Sequence, residues 1–209
     1  MVNHVVPPVG AAARARSPWL GSAMRHVEEL HALDPIATAA QRPAAALIAS
    51  AERRDLLRGR LLAHPAHPFL TDVPLGAWMS ASVLDVVGGR AARPAARLLV
   101  GLGLLAAIPA GATGFAEWAT TDGRARRVGL LHAVVNLLAL KVYASSWLAR
   151  GRDAHGAGVA LTMAGGLLIT VGGYLGGHLA VALKVGSRDP AFADPAFEGA
   201  SFEDLATAI

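Results

Sequence analysis

The sequence predicts an all-α protein: a four-helix transmembrane bundle preceded by an N-terminal helical segment that is cytoplasmic or lies on the membrane surface. Three observations carry that prediction. Of the 209 residues, 54% are apolar and only 16% are charged, with a mean hydropathy of +0.43, whereas soluble domains average about 45–50% apolar and about 25% charged. Four apolar stretches, at 68–88, 98–118, 128–149 and 157–183, reach the roughly 20 residues that a hydrocarbon core about 30 Å thick requires. The second and fourth have no polar face recurring with helical period, which separates a spanning helix from one in a soluble bundle.

The elements divide the chain into three parts. Residues 1–60 read as helical and soluble or interfacial. The first 20 contain Pro7, Pro8, Arg14 and Arg16 and lack the continuous apolar core of a signal peptide. Ser22 is placed to cap a helix running to Leu33, with Met24, Val27 and Leu30 on one side and Asp34-Pro35 as its stop. A second helix is expected over 44–62, where Leu47, Ile48, Leu56 and Leu57 mix with Glu52, Arg53, Arg54 and Asp55, and the pair can lie on the membrane surface. Residues 64–184 form the four-helix transmembrane domain. The rest, 185–209, carries Asp189-Pro190, Asp194-Pro195, Phe192, Phe197 and Phe202 and reads as an extended or disordered tail.

Charge sets orientation and excludes several function classes. The net charge is +4 and the basicity is almost wholly arginine, since Lys141 and Lys184 are the two lysines. On so apolar a chain this points to loops facing an anionic membrane surface and not to nucleic acid. With four spans, both termini share a side with Arg53, Arg54, Arg58, Arg60, Arg124, Arg126, Arg127, Lys184 and Arg188, against Arg90, Arg93, Arg97, Arg150 and Arg152 opposite. Nine against five predicts a multi-pass membrane protein with both termini cytoplasmic. Trp118 and Trp147 fall at span ends, where indole rings favour the interface. With no cysteine, the chain offers no disulfide, thiolate zinc site or iron-sulfur ligand. No hydrolase constellation and no clear internal repeat is evident, which argues against a stand-alone enzyme and against alternating-access transport.

The residues that a membrane penalises are the informative ones. The first span opens with His64-Pro65-Ala66-His67-Pro68 and carries Asp72; Glu117 closes the second; the third holds His132 with Asn136 at i+4; the fourth holds His178 after a glycine-rich run. At 1.5 Å per residue, Asp72, His132 and His178 all lie about 6–7 Å inside their spans from the termini-bearing side. Each also has a structural alternative: His67 can cap the helix that Pro68 begins, and His178 can hydrogen-bond a carbonyl. Gly172, Gly173, Gly176 and Gly177 let a neighbouring backbone or a flat ligand approach closely. Pro74 and Pro109 sit inside their spans, and Asp85 and Lys141 lie at depths compatible with a structural salt bridge in the opposite half.

The run Arg54-Asp55-Leu56-Leu57-Arg58-Gly59, then 64–78, then Thr113-Gly114, Glu117-Trp118, 127–133 and 172–179, resembles a bacterial membrane family known as domain of unknown function 2231, over residues 54–186. In actinobacterial relatives such a domain often precedes a Rieske iron-sulfur domain, so the resemblance implies a multi-helix membrane protein with a redox association. This cysteine-free chain departs from that arrangement.

Two function classes follow. In the first, intramembrane histidines bind a redox cofactor. A b-type haem would take His132 and His178 as axial ligands, with His67 near the mouth, Asn136 or Asp72 orienting an imidazole, and Gly173 and Gly177 making room. Alternatively a metal ion would take His64, His67, Asp72, His132 and His178. The second class is a cofactor-free membrane anchor or assembly partner. The partners expected are the lipid bilayer, a Rieske-type or other redox protein, and a second copy of the chain.

Overall fold

The computed structural model describes residues 18–186. Those residues are helical, with no strand among them: α1 (Pro18–Glu29), α2 (Asp34–Leu47), α3 (Ala51–Arg58), α4 (Ala66–Val87), α5 (Arg93–Trp118), α6 (Gly123–Gly151) and α7 (His155–Gly177). A π-helical turn, His178–Ala182, follows α7. The tail expected from 185 lies outside the described residues beyond Gly186.

Three helices, Arg90–Trp118, Gly123–Gly151 and His155–Ala182, are long and apolar enough to cross a membrane, not the expected four. The first expected span became α4, whose 22 residues carry His67, Thr71, Asp72, Ser80, Ser82 and Asp85. These lower its apolar content although its length, about 33 Å, matches a bilayer core. Phe69, Val73, Met79, Val83, Val86 and Val87 nevertheless form an exposed apolar face on it.

Helices α4 to α7 form two antiparallel hairpins, α4/α5 and α6/α7, each tightly packed within itself and more loosely packed against the other. Glycines set the tight seams. A Cβ at Gly103 would lie 2.2 Å from the Trp78 indole, and one at Gly165 2.7 Å from the Tyr143 ring. Trp78 and Tyr143 stack across the middle of the bundle, 4.1 Å between centroids and 6° between planes, within a core that includes Ala81 and Val100.

The two hairpins repeat one another. Positions 65 apart in α4 and α6 meet face to face: His67 with His132, Trp78 with Tyr143, Asp85 with Arg150. Positions 62 apart in α5 and α7 play matching parts, so that Gly103 and Gly165 seat the two aromatic rings and Val100 and Thr162 are both fully buried. This is the arrangement of two parallel repeats about an axis along the bundle. Few equivalent positions keep the same residue, which is why no clear repeat is evident in the sequence.

Asp85 pairs with Arg150 and not with Lys141. Arg150 Nη1 donates to Asp85 Oδ1 at 2.8 Å, Nη2 to the other oxygen and to Thr162 Oγ1, and Nε to Ser146 Oγ. The Ser146 hydroxyl donates in turn to the Gly158 carbonyl at 2.6 Å. Lys141 is exposed on the outer side of α6, one helical face away from the bundle centre. Every polar group of this cluster has a partner, which is what allows a buried ion pair to persist.

The N-terminal helices cap one end of the bundle. Asp34-Pro35 starts α2 instead of ending α1, because proline suits a first turn; the intervening His31–Leu33 is a short 3-10 turn. The expected single helix over 44–62 is interrupted after Leu47, and α3 starts anew with Ser50 Oγ accepting from Arg53 N–H. It stops at Gly59, whose φ of 79° is left-handed and where a Cβ would lie 2.2 Å from the His64 carbonyl. Met24 packs on Val128, Leu175 and Leu179, while Ala37 and Ala44 cover Trp118. Trp118 is therefore buried, its Nε1–H donating to the Arg126 carbonyl, and is no interfacial belt residue. Arg127 ties the cap down through the Glu28 carbonyl at 2.8 Å and both Asp34 oxygens at 3.0 Å.

Candidate functional site

The loose seam between the hairpins opens into a cavity of about 550 Å³, a size typical of sites for small molecules and cofactors. The inward face of α4 supplies His67, Thr71, Pro74 and Trp78 at helical spacing, α5 supplies Gly111, Gly114 and Glu117, α6 His132 and Asn136, and α7 Gly173, Gly176 and Gly177. The walls are otherwise apolar, and Glu117, near the end of α5, is the one carboxylate lining it among the described residues.

The two histidines are held alike. His67 Nδ1 lies 2.9 Å from the Ala110 carbonyl and His132 Nδ1 lies 2.9 Å from the Gly172 carbonyl. A carbonyl only accepts, so each Nδ1 carries the proton and each Nε2 keeps its lone pair. Thr113 Oγ1 stands 3.4 Å from His67 Nδ1. Asn136 Nδ2 donates to the His132 carbonyl at 2.8 Å and lies 3.3 Å from both ring nitrogens of His132. Each ring also lies over a glycine: a Cβ at Gly114 would be 2.7 Å from His67 Cε1, and one at Gly176 3.1 Å from His132 Cε1. The ring centroids are 6.4 Å apart with planes at 85°.

The other expected site residues lie elsewhere. His178 does not line the cavity; its Nε2 contacts Glu28 Oε1 of α1 at 2.6 Å, and Arg124 approaches the other Glu28 oxygen at 3.5 Å. The π turn at the end of α7 rotates this ring onto the cap, and 150 residues separate the pair, so no local signal reveals it. Asp72 is exposed, about 100° around α4 from Thr71, and His64 is exposed with Nδ1 on the Pro65 carbonyl. Among the described residues no three His, Cys, Asp or Glu side chains group closely enough to hold a metal ion, so the five-residue metal set is not assembled. Gly173 and Gly177 do face open space, since a Cβ at either meets nothing within 4 Å.

A family model described as a predicted membrane protein, DUF2231, matches residues 63–189, well over half of the chain. The chain belongs to the DUF2231 family. The matched region contains both hairpins and the whole cavity and leaves α1 to α3 outside it. No curated protein and no solved structure matches the chain.

Proposed function

We propose that this DUF2231 protein is an intramembrane redox protein holding a b-type haem between His67 and His132. The observation that supports the reading best is the mutual setting of the two rings. The ring centroids stand 6.4 Å apart on the cavity wall with planes at 85°, so the two imidazoles would hold one iron between them and supply the nitrogen donors that haem iron takes. Both rings carry the Nδ1–H···O=C bond that fixes tautomer and orientation in histidine ligands. The glycines of α5 and α7 leave room that side chains would fill, and the walls are largely apolar.

Bound there, the haem would supply one-electron transfer at a potential set by its two imidazoles and its buried surroundings. The chain's own residues do the positioning: Ala110 and Gly172 aim the lone pairs, Gly114 and Gly176 seat the rings, and Asn136 buttresses His132. His178 with Glu28 fastens the cap instead of binding. Because the cap meets the ends of α6 and α7, both ends of the described chain sit at one end of the bundle. The arginine count assigns that end to the cytoplasm, where a redox partner of Rieske or other type would dock.

A second reading, a cofactor-free anchor, draws on the same two hydrogen bonds, since each ties the two helices of one hairpin. An absorption spectrum of detergent-solubilised protein, from cells supplied with haem precursor and iron, separates the two. The redox reading expects a Soret band that survives His178→Ala, and the anchor reading expects colourless protein whose histidine variants lose only thermal stability, about 0.6 kcal/mol per intramembrane hydrogen bond.

A further inference from the structure

At the opposite end of the bundle from the cap, we propose that Arg97 and Arg93 bind the phosphate of an anionic lipid headgroup. The level follows from helix geometry. Asp85 and Arg150 each lie 18 residues beyond the histidine of their own helix, or about 27 Å, which places their layer at the far face of a bilayer core about 30 Å thick. Arg97 projects beside that layer.

The guanidinium is built into the fold but lacks an acceptor. It lies over the Trp147 ring, 5.1 Å from the centroid, and against the last turn of α6, where a Cβ at Gly151 would come within 2.6 Å of Nη2. Its Nε is buried with no hydrogen-bond partner, and no carboxylate pairs with Arg97 among the described residues. Other buried or part-buried arginines, Arg126 and Arg127 in the cap and Arg150 in the layer beside Arg97, all hold carboxylates. Asp85 is consumed by Arg150, leaving Asp153 against Arg90, Arg93, Arg97 and Arg152 at this end.

The hairpin repeat adds an independent argument. The position equivalent to Arg97 in α7 is Val159, so the packing shared by the two halves does not require an arginine there. A half-buried, unpaired guanidinium at headgroup depth is costly until an anion meets it. Its planar fork suits phosphate oxygens, with Trp147 at the interface stacking the cation from one side. Arg93, one turn closer to the water and exposed, supplies a second positive charge.

Native mass spectrometry of the full chain in neutral detergent tests this, titrating phosphatidylglycerol and phosphatidylcholine of identical acyl chains. The wild type is expected to bind phosphatidylglycerol in preference. Arg97→Gln should lower that preference about fivefold, the effect of one arginine near a lipid surface, and Arg93→Gln should lower it by less, whereas Arg42→Gln on α2 should leave it nearly intact. Arg93 is exposed and outside the packed core, so its variant tests the site even if Arg97→Gln fails to fold. Equal binding of the two lipids, an equal loss in Arg42→Gln, unchanged binding in Arg93→Gln, or displacement of the lipid by millimolar inorganic phosphate would each overturn the proposal, the last by identifying a free-phosphate site.

Discussion

The two hairpins share a plan but have diverged unevenly along the bundle. At the Asp85 level the equivalent residues are opposite charges, Asp85 in one half and Arg150 in the other, joined in a fully satisfied buried cluster. In the middle they are Trp78 and Tyr143, different rings in one stack. At the cap end they are His67 and His132, the same residue with the same Nδ1 bond to the equivalent carbonyl and the same glycine beneath the ring. The difference teaches that the first two layers need only complementary groups. The histidine layer keeps identical groups around open space, as expected where one object is gripped from both sides.

The largest effect on stability should come from breaking the diverged end. Asp85→Asn leaves the Arg150 guanidinium buried without its counter-charge, and removing one partner of a buried pair costs about 3–5 kcal/mol. Thermal unfolding in detergent should show that loss, whereas Lys141→Gln should be nearly silent because Lys141 faces outward.

Next come the glycines under the rings, where overpacking costs about 1–3 kcal/mol. Gly114→Ala, with its Cβ 2.7 Å from His67, should disturb the site more than Gly176→Ala, at 3.1 Å from His132. Equal effects in both would weaken the view that the two seats differ only in tightness.

Much of this was legible in the sequence, and the limits have physical causes. Apolar length reveals α5, α6 and α7, because that signal is one-dimensional; α4 reads as an equal span by length, and only its polar residues taken together set it apart. Depth along a helix follows from residue count alone, and His132 lines the cavity. Azimuth is the finer signal. His67, Thr71, Pro74 and Trp78 recur at helical spacing and mark the inward face of α4, which puts Asp72 outside and His67 in the place given to His178. The Glu28–His178 contact and the docking of α1 and α2 depend on partners far apart in the chain, 150 residues for Glu28–His178 and 77 for Gln41–Trp118, for which a single sequence carries no local sign.

The smallest effect concerns the cap, which lies outside the repeat. Burial pushes the Asp34 carboxyl up, but hydrogen bonds from Arg127, Arg126 and His31 outweigh it and hold its pKa below the ordinary 3.8. A lowered carboxylate stabilises the fold above its unfolded value, so that contribution is complete above about pH 4 and is lost as pH falls through 3.8 and below. Asp34→Asn should flatten the acid limb of a pH-stability curve there, with little change in the behaviour of the histidine layer at neutral pH.

The claim that both halves grip one ligand is tested most directly by titrating haem into purified protein and following the low-spin spectrum in the wild type and in matched single variants. The account predicts one haem per chain with bis-imidazole features, lost to the same extent in His67→Ala and His132→Ala and retained in His178→Ala. A wild type that takes up no haem, or one whose spectrum survives loss of either cavity histidine but not loss of His178, would contradict it.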